Sequence, residues 1–172
     1  GLATLRFDVA SRARIVSQVT GDVRCESFTG GQSLLASTII YRSQVACYIS
    51  AKVILVTLQK EQGLIFKSTP GIAALDRAMG MACPDTAPCA PEMLGFGNQV
   101  YEGAKQLHTY KASRFARQPG VNTLLWHPNS GCGSSTIYVE NYATAALYNY
   151  TPYRPNAAAL ANLTGPGDSC SS

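Results

Sequence analysis

Of the ten acidic residues in the chain, Glu61 occupies the place best suited to chemistry. It lies near the end of Ser50-Ala-Lys-Val-Ile-Leu-Val-Thr-Leu-Gln-Lys-Glu-Gln62, which Gly63 follows. Val53, Ile54, Leu55, Val56 and Leu58 are spread almost all the way around a 3.6-residue period, so the spacing predicts a central helix enclosed by protein. Ser50 has the hydroxyl to cap its first turn, and Gly63 can take the left-handed conformation that ends it. Glu61 shares a face with Ile54, Thr57 and Leu58, because residues three, four and seven apart line up. The helix C-terminus and an apolar surround both disfavour its ionised form, so the proton should be held more tightly than in water. Such a group suits general acid catalysis. The alternative is a solvent-facing glutamate at a frayed helix end.

The other reactive side chains form weaker patterns. Asp85 lies between two cysteines and is the first choice for a second carboxylate, although an aspartate before threonine also forms turns. Asp76 and Glu102 fall on expected helix surfaces and read as solvated. Glu140 stands at the start of a helix, where negative charge is favourable, so capping is its simpler role; orienting a ligand or Glu61 is the other. His108 and His127 make no metal or triad pattern, and no metal or cofactor is expected. Ser33 and Ser130 lack a nucleophile-elbow motif, and even cysteine pairing leaves no free thiol for a cysteine hydrolase. Met79, Met81 and Met93 read as core filler.

Around these residues the chain has the size of one domain, 1–172. Apolar residues make up 46% and charged ones 14%, which suits a compact globule and argues against disorder. The net charge of +4 comes from fourteen basic residues in no dense run, unlike a nucleic-acid arm. The apolar run at 53–58 is far too short to cross a bilayer, so no membrane partner is expected. No charged segment followed by an apolar one opens the sequence, as expected where a leader has been removed. Cys25, Cys47, Cys83, Cys89, Cys132 and Cys170 lack the C-x-x-C spacing of a zinc site and point to disulfides and secretion. Six cysteines allow 15 pairings; sequence proximity and the flanking turn residues favour 25 with 47, 83 with 89, and 132 with 170. Each bond would add about 2 to 4 kcal/mol, less for the short loop. Asn149-Tyr-Thr151 and Asn162-Leu-Thr164 have the sequon pattern.

In chain order, Ile15, Val16 and Val19 suggest a short amphipathic helix within 1–24. Leu34, Leu35, Ile39, Ile40 and Ala46 recur at helical intervals over 33–47, so that a bond from Cys25 to Cys47 would pin the N-terminal segment to that helix. A short helix is expected over 72–79. Asn98 is placed to cap a helix with the stripe Val100, Ala104 and Leu107. Leu124-Leu-Trp126 and Thr136-Ile-Tyr-Val139 should form a hairpin. Tyr142 to Tyr150 reads as a helix stopped by Pro152, and Pro155 can open a last helix through Leu163. The fold class is thus α+β, mainly helical.

Four segments resemble, in order, the lysozyme and lytic-transglycosylase superfamily, in which a buried helix ends in the catalytic glutamate at the floor of a sugar-binding cleft. They are Val53-Ile-Leu-Val-Thr-Leu-Gln-Lys-Glu61; Ala78-Met-Gly-Met-Ala-Cys-Pro-Asp-Thr-Ala87, shorter than the family's Gly-rich segment and lacking its glutamine; Asn98-Gln-Val-Tyr-Glu-Gly-Ala-Lys-Gln-Leu107; and Glu140-Asn-Tyr-Ala-Thr-Ala-Ala-Leu-Tyr148. Lys60-Glu-Gln62, Cys83-Pro-Asp-Thr-Ala-Pro-Cys89 and Asn149-Tyr-Thr-Pro-Tyr153 are similar to a narrower group of secreted, disulfide-bonded cell-wall proteins. That group includes muramidases joined to SH3-like wall-binding modules, and some bacterial relatives are labelled hemagglutinin. The resemblance implies a secreted, monomeric lysozyme-like hydrolase acting on peptidoglycan glycan strands, cutting the β-1,4 bond between N-acetylmuramic acid and N-acetylglucosamine. Glu61 would be the acid and Asp85 the second carboxylate. A retaining enzyme holds the two about 5 to 5.5 Å apart, an inverting one about 6.5 to 9.5 Å. With no opposing acid, the anhydro-forming reaction of lytic transglycosylases applies. Gln99 would contact an N-acetyl group by the same resemblance, or be a solvated residue of a first turn. Tyr138, Tyr150 and Glu140 are candidates for sugar contact, since aromatic rings stack on sugar faces; core packing is the alternative for many of the tyrosines. Two further readings are a non-catalytic wall- or glycan-binding module and a chitinase using the same glutamate.

Overall fold

The computed structural model describes residues 1–172 and is α+β, with six α-helices and three small antiparallel sheets. The chain divides into two compact units, Gly1–Ala112 and Ser113–Ser172. The three disulfides join Cys25 to Cys47, Cys83 to Cys89 and Cys132 to Cys170, the pairing expected from proximity. No helix is long and apolar enough to cross a membrane.

The first unit begins with strands where the sequence suggested a helix. β1 (Arg6–Val9) pairs antiparallel with β4 (Gly31–Leu35), and β2 (Ile15–Val16) with β3 (Val23–Cys25). Ile15, Val16 and Val23 are β-branched and stiff at χ1, so a pleated partner outweighs their helical spacing. Because Gly31–Leu35 is committed to β1, helix α1 (Ala36–Cys47) starts later than the periodicity implied. It ends at Tyr48, which holds the left-handed conformation at φ 58°. That conformation costs a residue with a Cβ on the order of 1 kcal/mol.

Helix α2 (Ala51–Gln62) has the expected ends: the Ser50 hydroxyl accepts the Lys52 N–H, and Gly63 adopts φ 65°. Its burial is one-sided rather than all-round. Ile54, Thr57 and Leu58 are buried, but Leu55 is exposed and Val56 is 67% exposed, because α1 and the long helix α4 (Phe96–Ala112) meet only one face of α2. The short α3 (Ile72–Asp76) is half as long as an average helix.

Helix α4 buries the stripe Val100, Ala104 and Leu107, together with Phe96 and Tyr101. Phe96 stacks on Phe7 of β1 at 4.4 Å, and Tyr101 tilts against Phe28 at 5.0 Å. Asn98 lies inside the helix rather than capping it; its amide donates to the Leu94 carbonyl and its oxygen accepts from Arg12. Glu102 is buried, not solvated as expected. It lies between Arg12 (3.6 Å) and Lys105, and both cations also approach the Tyr101 ring. A carboxylate can be buried here because two positive charges accompany it.

In the second unit β5 (Gly120–Leu125) and β6 (Ser134–Val139) form a hairpin longer than expected, in register from Gly120 opposite Val139 to Leu125 opposite Ser134. Leu124 and Val139 face inward, while Val121 and Tyr138 form a cross-strand pair on the open face. The Asn141 side chain caps α5 (Tyr142–Tyr150) through the Thr144 N–H, so Glu140 is not the capping residue. Asn149 closes a two-bond amide clamp, accepting from Arg117 N–H and donating to Arg117 C=O. Its side-chain nitrogen is therefore occupied, whereas Asn162 of the second sequon is exposed. Arg154 covers the Trp126 ring at 5.4 Å. Asn156, not Pro155, opens the last helix, α6 (Ala157–Ala161). Asp168 accepts from Asn156, Cys170 N–H and Ser171, which holds its carboxyl below the usual range and ties down the C-terminal segment.

Two tyrosines of α4 make stability depend on alkali. Burial raises the Tyr101 phenol above its ordinary value, the charge of Glu102 adding to this and Arg12 opposing it; burial also raises Tyr110, against a bond from Gln106. A raised folded value gives stability that is complete below the unfolded pKa of about 10 and is lost as the pH climbs through the folded one. Melting temperature should therefore fall between about pH 10 and 12, less steeply in Tyr101→Phe. Identical slopes in the two proteins would contradict a buried, ionisable Tyr101.

Candidate active site

The site is built on the last turn of α2. The Gly63 N–H bonds to the Gln59 carbonyl and the Leu64 N–H to that of Leu58, so the final turn is closed rather than frayed. The Gln59 side-chain oxygen accepts from the N–H groups of Ile65 and Phe66, folding the exit segment back onto the helix. Glu61 stands on the same face as the buried Ile54, Thr57 and Leu58, as the spacing required. Its side chain is 24% exposed, enough for solvent or a ligand to reach the carboxyl. Lys60 Nζ, on a half-exposed side chain, lies 3.2 Å from Oε1; a solvent-screened pair of this kind contributes a fraction of a kcal/mol at most.

The other carboxyl oxygen is set by a backbone. Gly80 has φ 65°, and a methyl group placed on its α-carbon would lie 2.6 Å from Glu61 Oε2. A side chain there would have to push the carboxylate aside. The turn carrying Gly80 is fixed from beneath by Gln99 of α4. Gln99 Oε1 accepts from the N–H groups of Met79 and Met81, and Nε2 donates to the carbonyls of Met81 and Met93. The opposite amide orientation would face donor to donor and acceptor to acceptor. The Gly95 N–H bonds to the Asp76 carbonyl and the Ala90 N–H to that of Ala82, and Cys83–Cys89 closes the loop between them.

This arrangement corrects one expectation. Gln99 is fully buried and its amide is committed to backbone groups, so it supports the site rather than touching an N-acetyl group. Asp85 is exposed in the loop that leads away from Gly80. The candidates of the second unit lie on the hairpin and α5: Tyr138 is 71% exposed, Glu140 is exposed one residue before the cap, and Tyr150 is half-buried as the last residue of α5. The structure thus gathers Glu61, the 79–81 turn and Gln99. The sequence signal for Gly80 is slight: a glycine between two methionines, next to the end of a short helix. No His, Cys, Asp and Glu group is arranged to hold a metal ion.

Comparison of the chain with family models, curated proteins and solved structures yields no match.

Two substitutions test the support. Gln99→Leu removes the partner of four buried or partly buried backbone groups at once, and unfolding in urea should show a loss of about 3 kcal/mol or more. A loss below about 1 kcal/mol would mean that the turn does not depend on this amide. Gly80→Ala should cost only about 1 kcal/mol for its left-handed backbone, since the flexible Glu61 side chain can yield. The carbon NMR signal of the Glu61 carboxyl should move in Gly80→Ala; an unmoved signal would contradict the close approach.

Proposed function

We propose that this chain is a lysozyme-like glycoside hydrolase that cuts the β-1,4 bond between N-acetylmuramic acid and N-acetylglucosamine in peptidoglycan, with Glu61 as the general acid. The observation that carries the reading is the seating of Glu61: a partly exposed carboxyl on a closed helix end, with bare Gly80 backbone against one oxygen. A general acid must stand within hydrogen-bond reach of the atom it protonates, and a fixed helix end with a backbone stop provides such a position.

In this reading Glu61 passes its proton to the glycosidic oxygen as the bond to the sugar carbon breaks, and a water molecule attacks that carbon from the opposite side. Asp85 is the carboxylate assigned to that water. On the second unit, taken by itself, the exposed Tyr138 offers a ring for stacking on a sugar face, and Glu140 and Tyr150 are further candidates for sugar contact. Three disulfides suit an oxidising, extracellular setting, where such a substrate is met.

Clearing of a bacterial-wall suspension tests the assignment. Glu61→Gln keeps the shape and removes the transferable proton, and should lower the rate by about 100-fold or more. Gly80→Ala, which displaces the carboxyl, should lower it by about tenfold or more while leaving most of the stability. Equal rates for the parent and Glu61→Gln would overturn the proposal. Mass spectrometry of the fragments should show reducing ends; anhydro ends would replace water by an intramolecular attack.

A further inference from the structure

Apart from Glu61, the first unit carries a groove of about 510 Å³ between the Glu26–Thr29 segment and the outer face of α1, lined by Tyr41, Arg42, Val45 and Tyr48. Tyr41 and Val45 share a face of α1, four residues apart, and Tyr48, just past the end of the helix, joins them in lining the groove, making an aromatic–apolar–aromatic strip. Both rings are open to solvent, Tyr41 being 63% and Tyr48 60% exposed.

Tyr48 is exposed but not loose. Its backbone is left-handed, where a glycine or asparagine would be less strained. Its ring meets the edge of His108 at 5.8 Å, and that imidazole is fixed by its Nδ1 lying 3.0 Å from the Cys47 carbonyl. Its hydroxyl donates to Glu26 Oε1 at 3.0 Å, while Arg14 holds Glu26 Oε2 at 3.1 Å. That bond to Glu26 is also the main reason the phenol is raised above its usual value. A ring immobilised in this way binds with little further loss of freedom. Across the groove, Arg42 spends one nitrogen on the Thr29 carbonyl and keeps the rest of its planar fork.

We infer that this groove is a second saccharide-binding site, separate from Glu61 and independent of any cleavage there. Flat rings stack on the apolar faces of sugars, and the Arg42 guanidinium beside them can donate to two neighbouring hydroxyls. With Glu26 already paired to Arg14, Arg42 is the single cation lining the groove, short of the cluster of cations a polyanion needs. A protein partner needs about 800 Å² on each side, more than one short strip provides.

The test uses the whole chain carrying Glu61→Gln, so that no ligand is consumed, and a tetramer of β-1,4-linked N-acetylglucosamine as probe. Ring-proton NMR signals of Tyr41 and Tyr48 should move on titration. Tyr48→Asn, which suits the left-handed backbone, and Tyr41→Ala should each weaken the dissociation constant read at the remaining groove signals by fivefold or more, with melting temperatures within a few degrees of the parent. Still ring signals up to millimolar probe, unchanged affinity in both variants, or these substitutions abolishing only the capture of a protein would overturn the inference. Cleavage and groove binding are read by different signals, so either can fail while the other stands.

Discussion

One buried amide ties the core of the first unit to its surface chemistry. Gln99 lies on α4, the helix around which the strands and α1 are packed, and its side chain fills the hydrogen-bonding needs of three residues in the 79–93 segment. An amide without partners in an apolar interior costs several kcal/mol, so the turn cannot lift away without stranding both itself and Gln99. Gly80 is carried on that turn, and Glu61 Oε2 rests against it. The backbone beside the carboxyl is therefore placed by a helix more than ten residues away in sequence.

Much of this scaffold was legible in the sequence, and the elements read well are those whose signals are local. The Ser50 and Gly63 ends of α2, the Tyr142–Tyr150 span of α5, the hairpin and the cysteine pairs all follow from short patterns. The buried trio Ile54, Thr57 and Leu58 also followed from spacing. What failed was set by distant partners. Ile15 and Val16 are strand residues because 23–25 is there to pair with them, and Gly31–Leu35 was lost to helix by β1. Leu55 and Val56 are apolar without being covered, which no periodicity reveals. Glu102 looked solvated because its counter-ion Arg12 lies far away in the chain. For Gln99 the resemblance suggests an N-acetyl contact and the helix start a solvated amide; neither signal contains the facing backbone that buries it.

The tyrosines show the same ambiguity within one residue type. Tyr101 and Tyr110 are core residues whose hydroxyls ionise reluctantly, whereas Tyr41, Tyr48 and Tyr138 present their rings to solvent. All five fall in regular helices or strands, or just beyond one, so periodic spacing does not separate them. The distinction lies in what stands opposite: Phe28 and two cations for Tyr101, a single histidine edge and a carboxylate for Tyr48.

The three disulfides close loops that neither overlap nor nest: 25–47, then 83–89, then 132–170. Each cysteine is bonded to its immediate neighbour in cysteine order. Among these six thiols, the second of every pair follows the first with no other cysteine between them, so pairing in order of appearance reproduces this connectivity. A connectivity of this kind can be reached without thiolate attack on a premature bond, unlike one in which the loops cross.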